Sequence, residues 1–209
     1  EFLLKTGFLS KMTAQMAEQL ADLRDGERIL SDLARNNYFT EVRPLPQPVY
    51  VYHPLFREFL TARAREAFSP ADLALVQRRA AAIIEAAGEV EDAANLLREA
   101  NDWDGIVRLI LDQAPALLAQ GRMRTLQGWL ENLPQTMVDQ TPWLQYWLGT
   151  CQLPFNLTRS RQRFEQAFQG FRTQRDPTGT FLSWFGIVET ILAEWGDYTR
   201  LDRWTEILE

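Results

Sequence analysis

Apolar residues recur at helical spacing along almost the whole chain and abandon it in one place, between Tyr38 and Tyr52. There Tyr38-Phe39-Thr40-Glu41-Val42 and Val49-Tyr50-Val51-Tyr52 are runs of β-branched and aromatic side chains, joined by Pro44-Leu45-Pro46-Gln47-Pro48. Such runs fit a half-buried pleated surface, and the prolines force a wide loop, so the pattern predicts one β-hairpin in a mainly α chain.

The helices on either side have different styles. Phe2, Leu3, Phe8 and Leu9 predict a short helix, and Thr13 is placed to cap a second that carries Met16, Leu20 and Leu23. Asp25 and Gly26 open a third, bearing Ile29, Leu30 and Leu33, which ends near Asn36-Asn37, residues that tolerate left-handed geometry. Three short helices followed by a two-stranded ribbon is the order of a winged helix. After the ribbon, His53 precedes a longer helix with Pro54 suited to its first turn. From Ser69-Pro70 onward one helix follows another, punctuated at Gly88, Asn101, Gly121 and Gly196 by a turning residue followed by acidic or aromatic side chains. Helical-hairpin repeats are punctuated in this way, here at irregular intervals. Trp143, Leu148 and Gly149, then Phe164, Ala167 and Phe168, then Pro177 follow a loose tetratricopeptide pattern. The predicted architecture is a winged-helix subdomain over residues 1–68, a helical arm over 69–134, and the start of a tetratricopeptide-like solenoid over 135–209.

Charge and composition narrow the function. Twenty-two basic against 28 acidic residues give a net charge of −6 over 209 residues, which opposes a chain-wide nucleic-acid clamp. One cysteine, Cys151, allows no internal disulfide, and the apolar runs fall short of the roughly 18 residues a membrane span needs. A reducing cytoplasm is expected, where the sequon at Asn156 has no meaning. The chain opens on Glu1-Phe2-Leu3-Leu4 and stops at Ile207-Leu208-Glu209, within apolar periodic segments at both ends, and is expected to be part of a longer protein.

Catalytic chemistry has little to stand on. A single histidine and a single cysteine, far apart, supply neither a nucleophile with its base nor a metal-ligand spacing. Glu89, Glu91 and Asp92 sit at a helix start, where carboxylates favour the dipole. The two lysines, Lys5 and Lys11, follow no glycine-rich phosphate loop. The third helix carries Asp25, Glu27 and Asp32 against Arg28 and Arg35, a poor face for DNA. His53 stands at a helix N-terminus, where free amides and an imidazole could meet a phosphate; on the residues alone, a half-buried histidine closing the helix is the simpler reading. Arg159, Arg161, Arg163, Arg172 and Arg175 form the densest basic patch, with Arg159 and Arg163 sharing a helix face. They are either a solvated face or a contact for an anionic ligand or acidic partner. The six tryptophans from Trp129 to Trp204 are spaced mostly as core residues.

The run Tyr52-His53-Pro54-Leu55-Phe56-Arg57-Glu58-Phe59-Leu60, with Phe2-Leu3-Leu4-Lys5-Thr6 and Leu30-Ser31-Asp32-Leu33, resembles MalT-like, LuxR-type ATP-dependent transcriptional regulators, members of the signal-transduction ATPases with numerous domains. Asp92-Ala93-Ala94, Asn101-Asp102-Trp103 and Trp129-Leu130-Glu131-Asn132-Leu133-Pro134 extend the resemblance to about residue 150. It implies a regulator with a nucleotide-binding domain ahead of the winged helix and a helix-turn-helix at its end, of which this chain is the middle. It also implies that His53 lies near the phosphates of bound ADP, with ATP or ADP held by the full protein and no cofactor by this segment alone. The implied partners are the protein's own nucleotide-binding domain, an unidentified inducer or regulatory protein, and a second copy, with no membrane and no direct nucleic-acid contact. The function expected is a regulatory switch and sensor; the alternatives are a stand-alone helical-repeat interaction module and a winged-helix DNA binder.

Overall fold

The computed structural model describes residues 1–43, 46–196 and 198–206, which divide into two compact units, Glu1–Gly105 and Ile106–Glu209. The first unit holds α1 (Phe2–Thr6), α2 (Ala14–Ala21), α3 (Gly26–Arg35), β1 (Thr40–Arg43), β2 (Val49–Tyr52), α4 (Pro54–Ala67), α5 (Pro70–Ala86), α6 (Val90–Glu99) and the first turn of α7 (Trp103–Ala119). The strands pair antiparallel, Thr40 opposite Tyr52 and Arg43 opposite Val49. Met12 adds a bridge to Tyr50, exchanging backbone hydrogen bonds of 3.0 and 2.8 Å. Three helices and a ribbon therefore close as the order predicts: a winged helix within a mainly α chain. The bend expected at Pro44 and Leu45 lies outside the described residues.

Boundaries differ from the expected ones where the backbone turns left-handed. Tyr38 and Phe39 are not in β1: Asn37 and Phe39 have φ of 55° and 49°, so the chain becomes extended only at Thr40. Both side chains are exposed. Asp22 ends α2 at φ 56°, which leaves Leu23 outside that helix. Phe8 and Leu9 follow α1 and are fully buried. At α3, Asp25 makes no side-chain cap, and the Gly26 amide donates to Glu18 Oε1 of α2 at 2.9 Å instead.

Thr13 caps α2 as its position predicts, its hydroxyl oxygen accepting from the Met16 amide at 3.2 Å, and Ser69 caps α5 through the Asp72 amide. Thr13→Ala is expected to lower the stability of the first unit by about 1 kcal/mol, because it orphans that amide. Urea titration reads the shift, and an unchanged midpoint would remove the cap from the fold's supports. Polar ties join the winged-helix elements to α5 and α6. Arg79 grips both oxygens of Asp22 at 2.8 Å and donates to the Gln19 carbonyl at 3.1 Å, and Lys11 pairs with Glu89 at 2.5 Å. Asp22 lies below the usual carboxylate range, chiefly through its hydrogen bonds from Arg79.

The second unit continues α7 and adds α8 (Met123–Glu131), α9 (Gln135–Gln140), α10 (Pro142–Gln152), α11 (Leu157–Gln174), α12 (Pro177–Ala193), a 3-10 turn (Tyr198–Leu201) and α13 (Asp202–Thr205). Asn156 caps α11 through the Arg159 amide and Asp176 caps α12 through the Gly179 amide, each at 2.9 Å. The helix start expected at Gly196-Asp197-Tyr198 becomes the 3-10 turn, with Asp197 outside the described residues. Short connections fold α10, α11 and α12 against one another around Phe164, Phe168, Ile187, Ile191 and Trp204. The Phe164 ring sits against two glycines, so closely that a Cβ at Gly149 would lie 2.8 Å from it and one at Gly186 2.7 Å.

Candidate functional site

Tyr52 anchors the end of β2. It is buried, its hydroxyl lies 2.9 Å from Thr6 Oγ1, and burial pushes its pKa up to about 12. The next residue, His53, emerges exposed at the N-terminus of α4 with φ −54° and ψ 138°. Its amide donates to the Phe39 carbonyl at 2.7 Å and its carbonyl accepts from the Arg57 amide at 2.9 Å. The imidazole stands edge-on to the Phe39 ring at 6.3 Å between centroids, and Phe39 rests on Phe56 at 5.7 Å. The backbone on both sides is thus fixed while the imidazole faces outward.

Pro54 has no N–H and the Arg57 amide is taken by the His53 carbonyl, so with no side-chain cap on α4 the Leu55 and Phe56 amides are left to carry the positive end of the helix dipole. These amides open beside a cleft of about 520 Å³ whose lining includes His53, Arg43, Arg57, Glu41 and Glu58. Arg57, one helical turn beyond His53, is steadied by an Nε hydrogen bond to the Gly7 carbonyl at 3.2 Å. Arg65, deeper along the same helix, is paired with Glu99 at 3.3 Å. Orphan amides, an imidazole and a guanidinium fork are the donors an anion needs. Among the described residues no group of three His, Cys, Asp or Glu side chains is placed to hold a metal ion, and no helix is long and apolar enough to cross a membrane.

The arginines singled out on α11 part company. Arg159 is exposed, and its described hydrogen bond is the backbone one to Asn156. Arg163 is turned inward: Nη1 donates to Gln145 Oε1 at 2.9 Å and to Gln166 Oε1 at 3.4 Å, with Asp139 4.0 Å away. Arg161 points to another side and pairs with Glu194 at 2.8 Å, and this hydrogen-bonded partner holds the Glu194 carboxyl below its usual range. Arg172 lies over the Phe168 ring at 5.7 Å. The structure does not gather these five around one ligand.

Arg57 is the residue that reading the sequence overlooked. Its signal was there, because positions four apart on a helix share a face, so a helix beginning at Pro54 carries Arg57 up beside His53.

The MalT winged-helix domain family matches residues 1–73. The serine/threonine-protein kinase PknK of Mycobacterium tuberculosis (strain ATCC 25618 / H37Rv) is 27% identical over 171 residues, 80% of this chain and 15% of the kinase. The HTH-type transcriptional regulator MalT of Serratia proteamaculans (strain 568) is 26% identical over 181 residues, 85% of this chain and 20% of the regulator. The chain thus spans a fifth or less of the length of these curated relatives. The winged-helix order, the ribbon and the helix that starts after His53 all lie inside the matched residues, and the likeness to the regulator runs well past them: the chain is MalT-like, with the MalT winged-helix family matched over its residues 1–73.

Proposed function

We propose that this chain is the switch and sensor portion of an ATP-dependent, LuxR-type transcriptional regulator, acting in the cytoplasm, in which nucleotide and inducer occupancy control self-association. The observation that carries the reading is the placing of His53 and Arg57, one turn apart, beside the uncapped start of α4 in a MalT-type winged helix. In the full protein the nucleotide-binding domain would dock here, bringing the ADP phosphates to His53 and keeping the resting state closed. Leu55 and Phe59, 70% and 58% exposed on successive turns of α4, and the exposed Phe39 offer that domain an apolar contact. Residues 69–134 act as the arm and 135–209 begin the sensor, where Arg159 and Arg163 are its candidate contacts. Neither part is catalytic on this reading.

A ligand shifts such a switch only as far as it binds one state better than the other, so weakening the closed-state contact must raise activity. In the intact protein, His53→Ala is expected to release ADP several-fold faster and to raise basal transcription. An unchanged ADP off-rate would take His53 out of the site. The similarity to a kinase as well as to a regulator favours a second reading, a helical interaction module used with different outputs. A phosphate loop encoded in frame ahead of Glu1 supports the first reading, and its absence from the gene supports the second.

A further inference from the structure

A cavity of about 790 Å³ in the second unit runs along α11 between the start of α10 and α13, and glutamine is the commonest residue in its lining: Gln140, Gln145, Gln162, Gln166, Gln169 and Gln174. From this groove we infer a binding site for an extended segment of polypeptide, recognised through its main chain. The inference is independent of the reading of His53.

Three observations lead there. Gln162, Gln166 and Gln169 are all exposed and occupy positions i, i+4 and i+7, so their amides form one row along the groove. Within the described residues the amides of Gln162 and Gln169 have no hydrogen-bond partner, whereas Gln166 has its oxygen turned to Arg163. The groove wall is built in advance. Gln145, only 2% exposed, accepts from Arg163 and donates to Asp139 Oδ1 at 3.1 Å, so a satisfied polar network fixes the base of the row.

A side-chain amide offers one acceptor and a donor group, the same pair that a backbone peptide unit offers in reverse. Successive amides of the row are spaced by about 6.0 and 4.5 Å along the helix at about 1.5 Å per residue. Groups facing one way on an extended chain recur about every 6.7 Å, close enough to the spacing of the row for the flexible glutamine side chains to take up the difference. Charge does not select the ligand, because Asp139 and Glu165 are offset by Arg163 and Arg203 around the groove. A saccharide fits less well. Its apolar ring faces need an exposed aromatic plate, and Trp204, the aromatic residue in the lining, is 4% exposed and packed edge-on to Phe168.

The test pans the whole 209-residue chain against phage-displayed random dodecapeptides. Enriched peptides are expected to bind at least about tenfold more weakly to the Gln162→Ala/Gln166→Ala/Gln169→Ala variant, whose thermal midpoint should stay at or above that of the wild type because alanine is the better helix former. N-methylation at alternate main-chain nitrogens of a selected peptide should abolish binding, a loss that recognition through side chains alone would not produce. The inference is overturned by a failure to enrich any peptide, by equal binding to the variant, or by tolerance of the N-methyl groups. It is overturned equally by a glycan array in which neutral oligosaccharides bind the wild type and are lost with the triple substitution.

Discussion

Phe164→Ala is expected to destabilise the second unit by about 4 kcal/mol, within the range for deleting a buried aromatic side chain. The phenyl ring is 2% exposed and belongs to the cluster with Phe168, Ile187, Ile191 and Trp204, with Tyr146 tilted against it at 5.6 Å. Gly149 of α10 and Gly186 of α12 flank it, and the ring occupies the space where their Cβ atoms would be. Truncation therefore opens a cavity that those two positions cannot help to fill, and the cost falls toward the upper part of the range. Filling from the other side is also unfavourable. A methyl at Gly186 would meet Phe164 Cε2 at 2.7 Å, so Gly186→Ala is expected to cost about 1–2 kcal/mol, the overpacking strain less the gain in helix propensity. Urea titration followed by tryptophan fluorescence measures both. A loss below about 2 kcal/mol for Phe164→Ala would mean that α10 and α12 collapse onto the vacancy, against the packing described.

This contact marks where the sequence stops being legible. Glycines inside apolar helical segments signal a packing reason but do not name the partner, and nothing in the spacing of Gly149, Phe164 and Gly186 shows that one ring meets both. Local signals were readable: the hairpin between Thr40 and Tyr52, the caps at Thr13 and Ser69, and the proline that starts α4. Each depends on residues within a few positions of one another. The ends of elements were less so, because the left-handed turn at Phe39 falls on a residue type that disfavours it, and Asp22 belongs to a type that tolerates left-handed geometry at many places that end no helix. The candidate site was half legible. His53 stood out as the sole histidine, and the readable start of α4 at Pro54 already set Arg57 one turn beyond it; the cleft that both line was not legible, because its walls come from distant segments. The arginines of α11 were visible as a cluster, and their dispersal follows from which turn each occupies and what it meets: Glu194 for Arg161, Gln145 for Arg163. The glutamine row required both the helix and the wall beside it.

Alkali is expected to weaken each unit through a different buried acid. Cys151 is fully buried on α10, 3.9 Å from the Met123 carbonyl, and burial pushes its thiol up to about 12 from 9.0, with Glu131 adding a smaller push in the same direction. A group whose folded pKa is raised keeps its proton longer in the folded state. Its contribution is complete below about pH 9, the value in the unfolded chain, and is lost as pH rises toward 12. From pH 9 to pH 11 the thiol alone should remove about 2 kcal/mol from the second unit. Tyr52 acts alike in the first unit between about pH 10 and 12, because burial outweighs its hydrogen bond to Thr6. The two are separable by substitution. Cys151→Ala should cost about 1 kcal/mol at neutral pH for the small cavity it leaves, yet stability should fall less steeply above pH 9. The wild-type and variant curves should therefore converge and cross near pH 10, where the wild type has lost that margin. Guanidinium titrations of both proteins at intervals from pH 7 to 11 give the two curves; parallel curves would show that the thiol ionises as freely in the fold as out of it, and the buried setting assigned to Cys151 would be wrong.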